Sequence, residues 1–121
     1  MKALIVDDNV TMRKLIRSVT QRYFSEFREC SDGSEVLQIY REFCPDWVLM
    51  DVQMQMQDGI AATKQILAAF PDAKIVIVTA YDDADLRESA RLAGAHSFLL
   101  KEKLLDIKNI IRRDVEASSR F

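Results

Sequence analysis

The chain has 121 residues, of which 49% are hydrophobic and 30% are charged, and its formal net charge is -2. This length predicts a single domain, and the composition is typical of a globular rather than a disordered protein. The acidic balance disfavours direct nucleic-acid binding, and no run approaches the ~20 apolar residues that span a bilayer, so we also expect no membrane contact.

The first half of the chain alternates short aliphatic runs with segments of helical period. Residues 3–6 predict a buried strand. Residues 10–24 predict a helix, capped by Asn9 or Thr11, because their apolar residues recur at three- and four-residue spacing. A strand near 26–30 and a turn with a helix cap at 31–34 precede a second helix, which we expect Pro45 to close.

The second half repeats this alternation. Strands are predicted at 47–50, 74–78 and 97–100, and helices at 59–70, 83–93 and 104–117, with Gly94 as a C-terminal cap. The segment 53–58 has no clear period. Residues 1–121 are thus expected to form one domain, with 118–121 as an unstructured tail or the start of a linker.

Five strand–helix units in a compact domain predict an α/β fold with one parallel sheet and crossover helices. The two cysteines, Cys30 and Cys44, form no CxxC motif. We expect both to be buried, reduced thiols, which fits a reducing cytoplasm.

Polar residues follow four of the predicted strands directly. They are Asp7 and Asp8, Asp51, Thr79 and Lys101. Because ligands bind at the carboxyl ends of strands in open parallel sheets, these groups are expected to meet in one pocket. Asp7 and Asp8 alone are equally well explained as solvated strand ends, and Lys101 or Thr79 alone would be much weaker evidence for a site. The combination of these groups on one edge favours a functional site.

Three carboxylates about 5 Å apart repel one another by about 3 kcal/mol per pair at an effective dielectric constant of about 20. A raised pKa or a bound cation must offset this repulsion, and an all-oxygen acidic site suits Mg²⁺. A carboxylate such as Asp51 can attack a phosphoryl group as a nucleophile. Lys101 and the Thr79 hydroxyl are suited to contact phosphoryl oxygens, and the small Ala80 leaves access open.

Other polar residues are interpreted structurally. His96 begins the fifth strand and therefore lies at the opposite edge of the sheet, so we expect a packing role. The basic residues of the last helix are expected to form a solvated face, with a partner surface as the less favoured reading: Lys108, Arg112 and Arg113.

Together these residues resemble the receiver domains of two-component response regulators, over essentially the whole chain. The motifs that carry the resemblance are Val6-Asp7-Asp8-Asn9, Leu49-Met50-Asp51, Met54 through Asp58-Gly59, Val78-Thr79-Ala80 and Phe98-Leu99-Leu100-Lys101. The resemblance implies a flavodoxin-like (βα)5 fold with helices on both faces of the sheet. It also implies a phosphoprotein and signalling switch that catalyses only its own phosphorylation and dephosphorylation.

The resemblance implies that Asp51 accepts a phosphoryl group from the phosphohistidine of a sensor kinase or phosphotransfer protein. Asp8, Asp51 and the backbone carbonyl of Gln53 are then expected to coordinate Mg²⁺ (or Mn²⁺), with Asp7 acting mostly through water. Thr79 is expected to stabilise the phosphoryl group together with Lys101.

The resemblance also implies a switch. Thr79 moves toward the phosphoryl group and Phe98 swings inward, which reshapes the face built from the fourth helix, fifth strand and fifth helix; simple core packing is the alternative role for Phe98. Gln53 and Tyr81 occupy positions that modulate hydrolysis of the acyl phosphate. Dimerisation on phosphorylation through the fourth and fifth helices is a further expectation.

Two residues depart from the family pattern. Gln55 stands where a proline is usual, and Glu102 follows Lys101 where proline with a cis bond is common, so we expect a trans bond there. Lysine followed by an acidic residue resembles receivers that precede helix-turn-helix output domains. The downstream output partner itself stays unidentified.

Three alternatives remain at this point. A phosphate-independent interaction module of the same fold is the main one. A phosphatase with an aspartate nucleophile would normally need a second acid at position 53, where this chain has Gln53. Flavin binding rests on fold alone, and the acidic pair at Asp7 and Asp8 would repel the cofactor's phosphate.

Overall fold

Five parallel strands form one sheet in the computed structural model, which describes residues 1–52 and 58–118. The strands are β1 Lys2–Val6, β2 Glu26–Cys30, β3 Trp47–Met50, β4 Ile75–Thr79 and β5 Ser97–Leu100. Their order is β2-β1-β3-β4-β5, so the strand order reverses at β1. This is the flavodoxin-like order, and ligands in such sheets bind at the reversal point, between the ends of β1 and β3.

Helices cover both faces of the sheet. They are α1 Val10–Thr20, α2 Val36–Phe43, α3 Gly59–Ala69, α4 Ala84–Ala93 and α5 Ile107–Ser118, with short 3₁₀ segments at Gly33–Glu35 and Lys101–Asp106. No helix among residues 1–52 and 58–118 combines the length and apolar character needed to cross a membrane. The predicted fold class is confirmed.

Alternate residues of each strand supply two separate cores. In β1, Ala3 and Ile5 pack with α1 and α5, whereas Leu4 and Val6 pack with α2, α3 and α4. All four are completely buried. The aliphatic runs lack a polar face because both sides of these strands lie against helices.

The first helix ends four residues earlier than predicted. The Thr20 hydroxyl donates to the Ile16 carbonyl at 2.7 Å, and the Tyr23 amide donates to Thr20 in a turn at 2.9 Å. Phe24 still enters the core and is 5% exposed. The apolar spacing continues beyond the end of the helix because the turn still places Tyr23 and Phe24 against the core that α1 covers.

The end of α2 also differs from the prediction. The helix ends at Phe43, and Cys44 adopts a left-handed conformation with φ 52°, so it is Cys44 rather than Pro45 that closes the helix. The Cys44 side chain is exposed, which contradicts the expected burial. Cys30 is buried as predicted, and burial raises the pKa of its thiol to about 12.

The remaining boundaries agree within a few residues. The β4 strand begins at Ile75, one residue later than predicted, and α3 ends one residue earlier. The predicted start of the last helix falls in the 3₁₀ segment Lys101–Asp106, after which α5 begins at Ile107. Gly94 caps α4 with φ 95°, as predicted. The segment 53–57 and the tail 119–121 lie outside the described residues.

Candidate functional site

The predicted polar residues meet at the carboxyl edge of the sheet. Asp7 and Asp8 follow β1, and Asp51 follows β3, on either side of the reversal point. One carboxylate oxygen from each of the three lies within 4.8 Å of the others. The structure thus brings together the acidic cluster that the strand ends predicted.

Lys101 supplies a cation to two of these acids. Its Nζ lies 3.0 Å from Asp7 Oδ2, in an ion pair without hydrogen-bond geometry, and 3.5 Å from Asp51 Oδ1. Burial opposes the ammonium charge, but the two acids outweigh burial and raise the pKa of Lys101. The lysine is therefore charged in the pocket and offsets part of the repulsion.

The pocket disfavours the charge of Asp51. Burial raises its pKa to about 6, assisted by repulsion from Asp7 and opposed by Lys101 and by the Val52 amide, which donates to Asp51 Oδ1 at 2.9 Å. The side chain is only 8% exposed. A second cation in the pocket would favour the ionised form of Asp51.

The loop between β1 and α1 presents its two acids differently. Asp7 is fully buried, and its Oδ1 accepts from the Asn9 amide at 2.9 Å, whereas Asp8 is exposed. Asn9 then caps α1 by accepting from the Met12 amide at 3.0 Å, which decides between the two predicted caps. The loop therefore buries one carboxylate and leaves the next open to solvent.

The donor set suits a hard cation. Three carboxylates converge, two of them buried and one exposed to water. Mg²⁺ prefers oxygen ligands and usually keeps several waters. The acidic cluster could bind such a metal; the predicted contribution of the Gln53 carbonyl lies outside the described residues and stays a prediction, as does the rate-modulating role of Gln53.

Thr79 ends β4 and is 1% exposed. Its Oγ1 accepts from the Tyr81 amide at 3.3 Å, and the Tyr81 side chain is half exposed. Thr79 ends the strand next to β3, and Lys101 follows β5, so both lie at the same edge of the sheet as the acidic cluster. The predicted roles of these residues stay predictions.

Phe98 lies outside this pocket, on β5 beneath α4. Its ring is partly buried against the α2–α4 core, and the Arg87 guanidinium stacks over it at 4.5 Å from the ring centre. The predicted switch role of Phe98 and its alternative, core packing, both fit this position.

Gly59 lies beside the site, and the sequence alone did not reveal why glycine is needed at this position. A Cβ at Gly59 would lie 2.0 Å from the Asp51 carbonyl oxygen, and its amide donates to the Val52 carbonyl at 2.9 Å. The start of α3 thus packs directly on the backbone of Asp51. Only glycine permits this approach.

Arg13 is a second residue that the sequence analysis missed. Its Nη1 donates to the Asp7 carbonyl at 2.6 Å, and its Nε donates to Glu29 at 3.2 Å. The available signal was a basic residue on the first turn of α1, close in sequence to the acidic pair.

The other polar groups lie elsewhere, as predicted. His96 is at the opposite edge of the sheet, where its ring meets Trp47 edge-on and its Nε2 lies 3.4 Å from Asp114. Lys74 donates to Asp114 at 2.6 Å and lowers the pKa of that carboxyl. The three basic residues of α5 are all exposed: Lys108, Arg112 and Arg113. The peptide bond after Lys101 is trans.

Sequence comparison finds known relatives of this chain. Residues 3–112 match the family model of the response regulator receiver domain. The transcriptional regulatory protein LiaR of Bacillus subtilis is 38% identical over 92% of this chain and 54% of the relative. The uncharacterized transcriptional regulatory protein YhcZ of the same organism is 38% identical over 84% of this chain, and the chain spans about half of its length, 49%.

A second kind of relative is covered over most of its length. The chemotaxis protein CheY of Halobacterium salinarum is 34% identical over 83% of both chains. Among solved structures, a LuxR-family two-component response regulator from Aurantimonas superposes with a TM-score of 0.87 at 27% identity, covering 96% of this chain and 85% of that chain.

Proposed function

The chain belongs to the response regulator receiver domain family, and on that basis we propose that residues 1–121 are the phosphoacceptor domain of a two-component or phosphorelay system. In this proposal Asp51 accepts a phosphoryl group from the phosphohistidine of a sensor kinase or phosphotransfer protein, in a reaction that requires Mg²⁺. The domain is a signalling switch rather than an enzyme with a separate substrate.

The observation that carries the proposal is the position of Asp51. Its carboxylate lies beside two further acids and 3.5 Å from the Lys101 ammonium, at the reversal point of the sheet. Phosphoryl transfer depends mainly on positioning and on the stabilisation of negative charge. A nucleophilic carboxylate, a cation and a metal-binding acid pair supply these requirements.

The reaction begins with ionised Asp51. One carboxylate oxygen attacks phosphorus, the bond from phosphorus to the histidine nitrogen breaks, and an acyl phosphate forms. Bound Mg²⁺, or Mn²⁺ in its place, would neutralise charge on the acids and the phosphoryl oxygens. Asp8, Asp51 and the Gln53 carbonyl would hold the metal, with Asp7 acting through water.

Thr79 and Lys101 stabilise the phosphoryl group in this proposal. The lysine would exchange part of its contact with Asp51 for a phosphoryl oxygen, and the Thr79 hydroxyl would donate to another. Tyr81 and Gln53 modulate loss of the phosphoryl group by water.

The output step is a change at the face built from α4, β5 and α5. Movement of Thr79 toward the phosphoryl group allows Phe98 to turn inward. The partner would be an output domain or a separate protein, and dimerisation on phosphorylation is one such output. The match covers only 49% and 54% of the two relatives that carry transcriptional regulatory names. The remaining length of these relatives supports a transcriptional output domain. We propose a cytoplasmic location, as for the donor kinase domains.

The proposal is tested by intact-mass measurement after incubation with acetyl phosphate and Mg²⁺. We expect a single phosphoryl adduct that is absent from Asp51→Asn and from a sample with chelated metal. Asp72→Asn removes one exposed acid far from the pocket and is the matched control, in which the adduct should persist.

An adduct that survives Asp51→Asn would place the acceptor elsewhere and refute the assignment. No adduct, together with failure of a panel of phosphorylated histidine kinases to label the protein, would favour the phosphate-independent interaction module of the same fold.

A further inference from the structure

The Arg13 guanidinium joins three elements beside the acidic cluster. Its Nη1 donates to the Asp7 carbonyl at 2.6 Å, in the loop after β1. Its Nε donates to Glu29 Oε1 at 3.2 Å, near the end of β2. Arg13 itself lies in the first turn of α1, and its side chain is 18% exposed. The phosphoryl-transfer chemistry proposed above makes no use of this group.

The Asp7 carbonyl belongs to the peptide group that links Asp7 to Asp8. Because a peptide group is planar, a donor that fixes its oxygen also fixes the orientation of the next amide and the direction in which Asp8 leaves the loop. The Asp8 side chain is exposed and has no hydrogen bond or ion pair within the described part of the chain. The direction of the Asp8 side chain is therefore set by the conformation of its backbone.

We propose that Arg13 is a positioning residue for the metal site, which holds the Asp7–Asp8 peptide so that Asp8 faces Asp51. Glu29 orients Arg13 through the second arm of the guanidinium. This inference rests on the proposed function, because it concerns the same Mg²⁺ ligands. Among the described residues, Arg13 forms no hydrogen bond or ion pair with the carboxylates of Asp7, Asp8 or Asp51.

The geometry requires an arginine rather than any cation. The planar guanidinium presents donors in a fixed fork, so Nη1 can serve the carbonyl while Nε serves Glu29. A lysine has one nitrogen at the end of a flexible stem. Arg13→Lys therefore preserves the charge but cannot reproduce both directed contacts.

Charge alone predicts the opposite result for metal binding. A guanidinium near the acids repels an incoming Mg²⁺, so its removal would strengthen binding if the electrostatic field were the main effect. Loss of a tether weakens binding instead. The sign of the change therefore distinguishes the two explanations.

Arg17 offers a matched control on the same helix. Its guanidinium lies 3.4 Å from the other oxygen of Glu29 and stacks over Phe27, but no hydrogen bond or ion pair joins it to the loop after β1 in the described part of the chain. Arg17→Ala removes the same charge as Arg13→Ala. Glu29→Gln provides a second test, because it keeps an oxygen that can accept from Arg13 without the charge.

The experiment uses ¹⁵N-labelled full chain and two readouts from the same samples. Hydrogen exchange in metal-free protein measures the loop directly, through the Asp7 and Asn9 amides, which donate to Cys30 and to the Asp7 side chain. Titration with Mg²⁺ then gives the affinity from amide chemical shifts.

We expect Arg13→Ala and Arg13→Lys to accelerate exchange at these two amides and to weaken Mg²⁺ binding about tenfold, the usual effect of losing an outer-shell contact. For Arg17→Ala, the amide exchange rates and the Mg²⁺ affinity should both stay within about twofold of the wild-type values. Glu29→Gln should also stay close to wild type in both measurements. Thermal unfolding without metal identifies any variant that has lost the fold.

Three results would overturn the inference. Unchanged amide exchange in the loop of Arg13→Lys would exclude the tether. Tighter Mg²⁺ binding in Arg13→Ala would assign the effect to charge. A loss of Mg²⁺ affinity in Arg17→Ala equal to that in Arg13→Ala would assign the effect to general stability. Failure of wild type to respond to Mg²⁺ is different, because it refutes the metal site of the proposed function itself.

Discussion

Replacement of Asp51 by asparagine should stabilise the metal-free protein. The Asp51 carboxylate lies within 4.8 Å of the oxygens of Asp7 and Asp8. At an effective dielectric constant of about 20, each repulsion costs about 3.5 kcal/mol, so the two repulsions together cost about 7 kcal/mol. Attraction to Lys101 at 3.5 Å returns about 5 kcal/mol on the same scale. The balance of about 2 kcal/mol, before the cost of burial, is removed in Asp51→Asn.

The effect has a defined pH dependence. Burial and the neighbouring Asp7 raise the pKa of Asp51 from its ordinary 3.8 to about 6 in the folded protein. Between these values the folded state binds more protons than the unfolded state, so wild type loses stability as the pH rises through this interval. Asp51→Asn lacks this loss, and its advantage should therefore be largest above the folded pKa and small near the unfolded one.

The assay is urea unfolding of metal-free protein at about pH 7.5 and again at about pH 4. Asp72→Asn makes the same change in net charge at an exposed position and should change the free energy of unfolding by less than about 0.5 kcal/mol. Mg²⁺ should stabilise wild type more than Asp51→Asn, which reduces the difference between their free energies of unfolding. If Asp51→Asn were no more stable than wild type at the higher pH, the repulsion argument would be wrong.

Three further changes test individual contacts. Gly59→Ala would place a Cβ 2.0 Å from the Asp51 carbonyl oxygen; we expect a loss of about 3 kcal/mol in urea unfolding, and intact mass should show reduced phosphoryl labelling. Gly94→Ala combines φ +95° with a 2.8 Å approach to Leu67, and should cost about 2 kcal/mol in the same assay while labelling persists. Tyr81→Ala should change the lifetime of the acyl phosphate, measured by decay of the adduct after the donor is removed; an unchanged lifetime would count against the assigned role.

The strands and the acidic cluster could be predicted because one physical cause governs both. A strand buried on two faces needs an uninterrupted aliphatic run, and the first polar residue after the run marks the carboxyl end of the strand. Val6 followed by Asp7 and Met50 followed by Asp51 are such boundaries. Parallel pairing then brings those ends to one edge without further information.

The errors arose where a local hydrogen bond decided the structure. The first helix ends at Thr20, where the Tyr23 amide donates to the Thr20 carbonyl in a turn, although the apolar spacing continues to Tyr23. Cys44 accepts a left-handed conformation, which turns its side chain outward before Pro45. Neither event changes the hydrophobic pattern from which the helices were predicted.

Contacts between distant segments were also beyond the sequence. The Arg13 guanidinium donates to the Asp7 carbonyl after β1 and to Glu29 on β2. Arg13 can make both contacts because β2 lies beside β1 in the sheet. Gly59 is small because the backbone of Asp51 occupies the space where its side chain would be. Both constraints follow from three-dimensional packing around residues that the sequence had already singled out.

The proposed switch connects this packing to the α4–β5 face through bonds that exist before phosphorylation. Thr79 Oγ1 accepts from the Tyr81 amide at 3.3 Å, so movement of Thr79 toward a phosphoryl group would release the start of the connection to α4. The Arg87 guanidinium lies 4.5 Å from the ring centre of Phe98, and we expect an inward turn of Phe98 to break this contact. Because Arg87 also pairs with Asp82 at 3.4 Å in that same connection, the two movements share one segment of chain. In this proposal, a local change of charge at Asp51 reaches the face built from α4, β5 and α5 through that segment.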